Sequence, residues 1–155
     1  MSKQATAEKP PIRFRLLTVA VEQYVTHLPK NEVVTIQGVD VVFTFELEAD
    51  HRRIIATPRF AFQDEAGTEI VILQPRVAFD INAEDWPRLV TDSREVVLPS
   101  YLLQHLGVIA TGFARGVLHE KFSRKPALTG IMLPIIPVIN YISEDLVFSQ
   151  DSATS

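Results

Sequence analysis

The chain has 155 residues, 46% of them hydrophobic and 22% charged, with a formal net charge of −4. It contains no cysteine, which excludes disulfides, thiolate metal sites and a cysteine nucleophile. A pI near 5.5 argues against nucleic acid as a partner, because phosphate binding needs concentrated Lys and Arg. The length fits one domain that buries a core without covalent staples. A mean hydropathy of +0.13 is high for a small monomer, so part of the apolar surface is expected to face another subunit or a ligand.

Residues 1–11 are polar, hold two adjacent prolines and lack the apolar core of a signal peptide. They read as a disordered N-terminal arm, ahead of a single domain over 12–148 and a polar, disordered tail over 149–155. A cytoplasmic setting is expected. Ile12, Phe14 and Leu16 alternate with Arg13, Arg15 and Leu17 as a first strand, continued by Val19, Val21 and Val25 and broken at Pro29-Lys30-Asn31. Val39, Val41, Phe43, Phe45 and Leu47 alternate with a mostly polar set, the pattern of a half-buried antiparallel strand. Ala49 to Arg53 is a polar connection.

Ile54–Gln63 and Thr68–Ile81 form a hairpin whose tip, Asp64-Glu65-Ala66-Gly67, supplies a glycine for a positive φ. Pro58 and Pro75 cannot donate to a ladder, so each marks a bulge, an edge or a break. Residues 82–97 read as a loop around Trp86, with a short strand at Glu95–Leu98. Pro99 then opens a long helix over Ser100–Phe122. Its apolar positions Leu102, Leu103, Leu106, Ile109, Ala110, Phe113, Val117 and Leu118 follow helical spacing. Interruption by Gln104, His105 and Arg115 makes this a buried amphipathic helix rather than a membrane span, and no membrane insertion is expected. Gly107, Gly112 and Gly116 inside it predict a face of close approach, to the sheet or to a second copy of the helix. Leu128–Leu133 is expected to be extended. Pro134-Ile135-Ile136-Pro137 cannot be regular helix, and Val138–Phe148 reads as a short helix or a strand.

The order of strands, long helix, Pro-containing link and short last element resembles the bacterial export chaperone family SecB. The residues carrying the resemblance are Ala114-Arg115 late in the helix, Ser123-Arg124 at its exit, Pro134 eleven residues after Ser123, and the hairpin from Ala56 to Ile81. The resemblance spans about residues 12–148 as an order of elements. Lys125 departs from it, standing where the family's turn favours glycine. The resemblance implies an α+β fold: a four-stranded antiparallel sheet with the long helix on one face. It also implies a dimer of dimers with the long helices packed between dimers, an arrangement the three helix glycines permit. An acidic face of Glu22, Asp40, Glu46 and Glu48 would be the place for the translocase motor SecA to dock.

No residue pattern points to catalysis. His27, His51, His105 and His119 lack metal-ligand spacing, and the pairs Asp64-Glu65, Glu84-Asp85 and Glu144-Asp145 read as solvated turn chemistry. Nucleotide and hydrolase motifs are missing. No catalytic residue, metal or cofactor is expected. Arg115 is expected to act as a structural cap, or as an ion-pair partner of Glu120, rather than as a site for a partner's carboxylate. The sheet offers more apolar rows than one helix covers, so Phe43, Phe45, Phe60, Phe62 and Phe79 are the expected walls of a peptide-binding groove. The resulting expectation is an ATP-independent holding chaperone for unfolded polypeptides, serving protein export. The alternatives are a SecB-like chaperone dedicated to one client such as an antitoxin, and a non-chaperone module binding a ligand or a subunit.

Overall fold

A computed structural model describes residues 10–28 and 34–149. Residues 1–9, 29–33 and 150–155, which include most of the expected arm and tail and the Pro29-Lys30-Asn31 break, lie outside the described residues. The architecture is α+β. Strands β1 (Phe14–Thr26), β2 (Gly38–Val42), β3 (Phe45–Glu48), β4 (Arg53–Ala56), β5 (Arg59–Gln63) and β6 (Glu69–Ile81) form one antiparallel sheet. After β7 (Glu95–Leu98) comes α1 (Ser100–Ser123), then a one-turn helix α2 (Val138–Tyr141) and β8 (Leu146–Ser149).

The four expected strands are present as six segments because two of them are interrupted. β6 is central. It pairs with β1 along one edge and with β4 and β5 along the other, and β3 and β2 pair outside β4 and β5. Pro58 explains one interruption: without an N–H it cannot continue the ladder, so β4 stops at Ala56 and β5 starts at Arg59. The neighbouring strand breaks beside it, at Phe43-Thr44, where the Thr57 N–H donates to the Thr44 carbonyl at 2.9 Å. Pro75 stays inside β6, opposite Val21, next to a register shift in β1 and between the β4 and β5 pairings. Both prolines thus sit at discontinuities of the sheet. At the hairpin tip Gly67 takes φ +79° as expected, and Asp64 Oδ1 accepts from the N–H groups of Ala66 and Thr68.

Alternation decides what lies under α1. Leu73, Val77, Phe79 and Ile81 of β6 are buried together with Phe45, Leu47, Ile54, Phe60 and Phe62 from neighbouring strands. Against them α1 places Leu102, Leu103, Leu106, Ala110, Ala114, Leu118 and Phe122. Each large side chain removed from water contributes about 1.5–3 kcal/mol before chain entropy is subtracted. The opposite sheet face carries charge. Arg15 and Arg53 flank Asp80 at 3.2 and 3.3 Å, and Arg59 meets Glu69 at 2.7 Å.

The last element is two elements. Val138–Tyr141 is a helical turn, and Leu146–Ser149 joins β7 in a separate two-stranded ladder. The expected tail boundary at residue 149 therefore falls inside β8. The segment after α1 opens with a 3-10 turn, Pro126–Leu128, before the chain extends.

The start of β1 is fixed by a carboxylate. Arg13 donates to Asp85 from its main-chain N–H (2.8 Å) and from Nε (2.9 Å), and its Nη2 reaches Glu84 at 3.1 Å. These bonds, the side-chain one foremost, hold the Asp85 carboxyl below the usual carboxylate range. A carboxyl whose folded pKa is depressed stabilises the fold above its unfolded pKa and loses that contribution as pH falls through the folded value. Asp85→Asn is therefore expected to flatten the fall in Tm between neutral pH and about pH 3. Parallel Tm curves for parent and variant would show that this latch contributes nothing.

Candidate polypeptide-binding surface

The break at Phe43-Thr44 creates a groove. Phe43, Phe45, Leu103, Tyr141, Ile142 and Leu146 line a depression of about 180 Å³ between the outermost strand, α1 and the C-terminal segment. The Phe43 ring meets Tyr141 edge-on at a centroid distance of 6.0 Å and Phe60 at 6.5 Å. β2 and β3 are outermost in their half-sheets, so beside the groove they present an edge with no ladder partner among the described residues. The C-terminal segment carries further exposed apolar side chains, Ile135 on the link at 90% exposure and Ile139 on α2, whereas Val42, opposite Arg59, is exposed on the outward sheet face. An aromatic wall beside free backbone donors and acceptors suits an extended peptide of many sequences, because main-chain bonds give affinity while the pocket takes apolar side chains.

Three contacts fix the outer wall. Gln104 Nε2 donates to the Ile142 carbonyl at 2.7 Å. Asp145 Oδ1 accepts from the Ser100 N–H at 2.7 Å, capping α1 from a distant part of the chain where Pro99 offers no side-chain cap. Gly107 allows the third: a Cβ there would lie 3.0 Å from both Ile142 Cδ1 and Val138 Cγ1. Asp145→Ala is expected to cost about 1 kcal/mol, the usual worth of a helix cap. It should also raise hydrogen exchange at residues 141–146 before the rest of the domain. Uniform exchange in the variant would argue that the wall is held by packing alone.

The expected groove residues divide. Phe43 is half-buried and Phe45 is buried at the groove wall, whereas Phe60, Phe62 and Phe79 are 0% exposed and lie within the core. Tyr141, Ile142 and Leu146 were not anticipated. Their signal was the Val138–Ile142 spacing of one helical turn after Pro137, in a segment whose conformation periodicity alone leaves open.

The four acidic residues are spread over the outward sheet face, each with a partner. Glu46 lies 3.9 Å from Arg76 and Glu48 3.2 Å from Arg53, while Asp40 and Glu22 accept from Gln63 and Gln74. The face alternates in sign rather than being uniformly acidic.

A second apolar surface runs beside β1. Its inner-facing row, Leu16, Val19 and Val21, stays 51, 44 and 41% exposed, since the core contacts of α1 lie over β6 and β4. Ile109, Phe113 and Val117 of α1 are half-buried. The strand and helix meet at both ends of this face, where Phe14 packs edge-on to His105 (5.3 Å) and Lys121 Nζ lies 5.3 Å from the centre of the Tyr24 ring. Gly112 and Gly116 line a neighbouring cleft of about 400 Å³ with Arg115, Ile131, Met132 and Leu133. A Cβ at either glycine meets nothing within 4 Å, unlike Gly107, whose close approach is to its own chain. Arg115 is committed internally: its guanidinium donates to the carbonyls of Leu133 and Pro134 and clamps the extended link. Glu120 pairs with Arg124 instead.

Among the described residues no group of three or more His, Asp or Glu converges on a metal-sized site, and no helix is long and apolar enough to cross a membrane. The depressed carboxyls Glu69, Asp80 and Asp85 each face arginine; for Asp80 two arginines outweigh the opposing effect of burial.

No protein-family model and no curated protein matches the chain. Among solved structures it is similar to the Mycobacterium tuberculosis Rv1957 SecB-like chaperone in complex with a ChAD peptide from the Rv1956 HigA1 antitoxin. The identity is 19%, the match covers 81% of this chain and 89% of that one, and the TM-score is 0.43.

Proposed function

We propose that this chain is a holding chaperone that binds unfolded polypeptides without ATP and works as a homo-oligomer in the cytoplasm. The observation that carries the reading is the Phe43–Tyr141 groove beside a strand edge with no ladder partner among the described residues, together with the exposed Ile135 and Ile139 of the C-terminal segment. A monomer needing no partner would gain by covering these exposed apolar side chains. Binding buries client side chains in the groove and satisfies client backbone at the edge, so unfolded segments no longer meet one another.

Self-assembly accounts for the other surface. The exposed row of β1 with the half-buried stripe of α1 is one open apolar surface, and the Gly112–Gly116 cleft between α1 and the link is another. A second copy covering the β1 row would also close the edge of β1 that has no ladder partner among the described residues.

The test measures native mass by light scattering, then aggregation of a chemically unfolded substrate with and without the protein, in the absence of nucleotide. An oligomer that suppresses aggregation in the parent and loses most of that suppression in Phe43→Asp is the expected result. A monomer with no suppression would sink the reading. Repeating the assay on several unrelated substrates separates a general holder from one serving a single client.

A further inference from the structure

A cavity of about 330 Å³ at the start of β1 shares no lining residue with the Phe43 groove. Three arginines line it, Arg13, Arg15 and Arg52, with Asp80 as the carboxylate among them. Arg13 is committed to Asp85 and Glu84, and Arg15 to Asp80, which also takes Arg53. Arg52 has neither an ion pair nor a hydrogen bond to its guanidinium among the described residues.

The backbone at Arg52 makes that free charge notable. It adopts φ 50° and ψ 44°, the left-handed region that glycine or asparagine enters more readily than a residue with a long side chain. Both its main-chain groups are used: its N–H donates to Ala49 O at 3.1 Å and its carbonyl accepts from Ile81 N–H at 2.8 Å. Arg52 closes the 3-10 turn Ala49–His51 in this left-handed cap conformation, and its backbone, held on both sides, presents an unpaired cation to the cavity.

We infer that Arg52 is a carboxylate-binding site at this cavity that takes an aspartate or glutamate side chain of a bound polypeptide. The planar guanidinium matches a carboxylate with two parallel hydrogen bonds. Asp80 in the cavity lining and the Glu84 and Asp85 carboxylates held by Arg13, with the net charge of −4, oppose a polyanion, so the site fits one isolated carboxylate. This inference rests on the polypeptide-binding reading for the source of the carboxylate.

The test uses the full chain and fluorescence anisotropy with a labelled peptide of mixed Leu, Ser and Glu, against the same peptide with Gln for Glu. The Glu peptide is expected to bind at least about fivefold more tightly at low salt, a preference that high salt screens away. Arg52→Gly should abolish the preference while leaving Tm unchanged or higher, because glycine relieves the positive φ. Arg52→Lys should retain part of it. Equal affinity of the parent for the two peptides overturns the inference and leaves the Phe43 groove standing, whereas failure of both peptides to bind overturns both readings. A preference that survives Arg52→Gly, or displacement of the Glu peptide by millimolar inorganic phosphate but not by acetate, also overturns it.

Discussion

Phe79→Ala is expected to destabilise the domain by about 3–5 kcal/mol, the usual loss for emptying a fully buried phenylalanine site. The ring is 0% exposed, lies opposite Leu16 and Ile54 across the two ladders of β6, and packs edge-on against Phe14 at 5.7 Å. Its loss removes apolar contacts on both sides of the central strand, and close-packed neighbours refill such a space only in part. Phe62→Ala should behave alike, since Phe62 is equally buried and meets Phe122 of α1 at 5.5 Å. Phe43→Ala should differ in kind. Phe43 is only half-buried and meets Tyr141 at the groove, so its stability cost is expected to stay near 1–2 kcal/mol while client holding falls severalfold. Denaturant unfolding and aggregation suppression on the three variants decide the matter. A Phe43→Ala protein that unfolds as readily as Phe79→Ala would move Phe43 into the core and remove the groove's main wall.

That contrast marks how far the sequence can be read. Period-two alternation located every long strand, and Pro99 with the 3,4-spaced leucines located α1, because both patterns report which side of an element meets the core. The same alternation placed Phe43, Phe45, Phe60, Phe62 and Phe79 on apolar rows but does not say which rows α1 covers. Phe60 and Phe62 are covered because β5 pairs directly with the central strand, and Phe43 is partly open because it sits at a break on the outermost one. The three helix glycines look equivalent along the chain; only the return of Val138–Ile142 onto α1 separates Gly107 from Gly112 and Gly116. The four acids look like a patch until register sets Arg76 against Glu46 and Arg53 against Glu48. Each of these depends on contacts between residues far apart in sequence, which local periodicity does not encode.

The exposed row of β1 leads to the second large effect. Val19→Lys is expected to convert the native oligomer to a smaller species, by light scattering, with little change in the Tm of the folded chain. Val19 sits on the α1 side of the strand, opposite Val77, yet is 44% exposed within one chain, between Leu16 and Val21 at 51 and 41%. A substitution at so open a position shifts stability by only about 0.5 kcal/mol when no partner covers it. Covered by a second copy, the same lysine brings an unpaired ammonium into an apolar contact, at a cost of several kcal/mol, which corresponds to an affinity loss of roughly a thousandfold or more. The two situations therefore predict opposite outcomes for mass and the same outcome for folding. Thr18→Lys supplies the internal control: it lies one residue away, opposite Ala78 on the charged face, where a cation joins an array of alternating sign. If both lysines leave the mass unchanged, the apolar row is not where copies meet. If both reduce it, the contact is made through the edge of β1 as a whole. Loss of assembly confined to Val19→Lys would place the second copy on the α1 side of the strand, towards the half-buried Ile109 and Phe113.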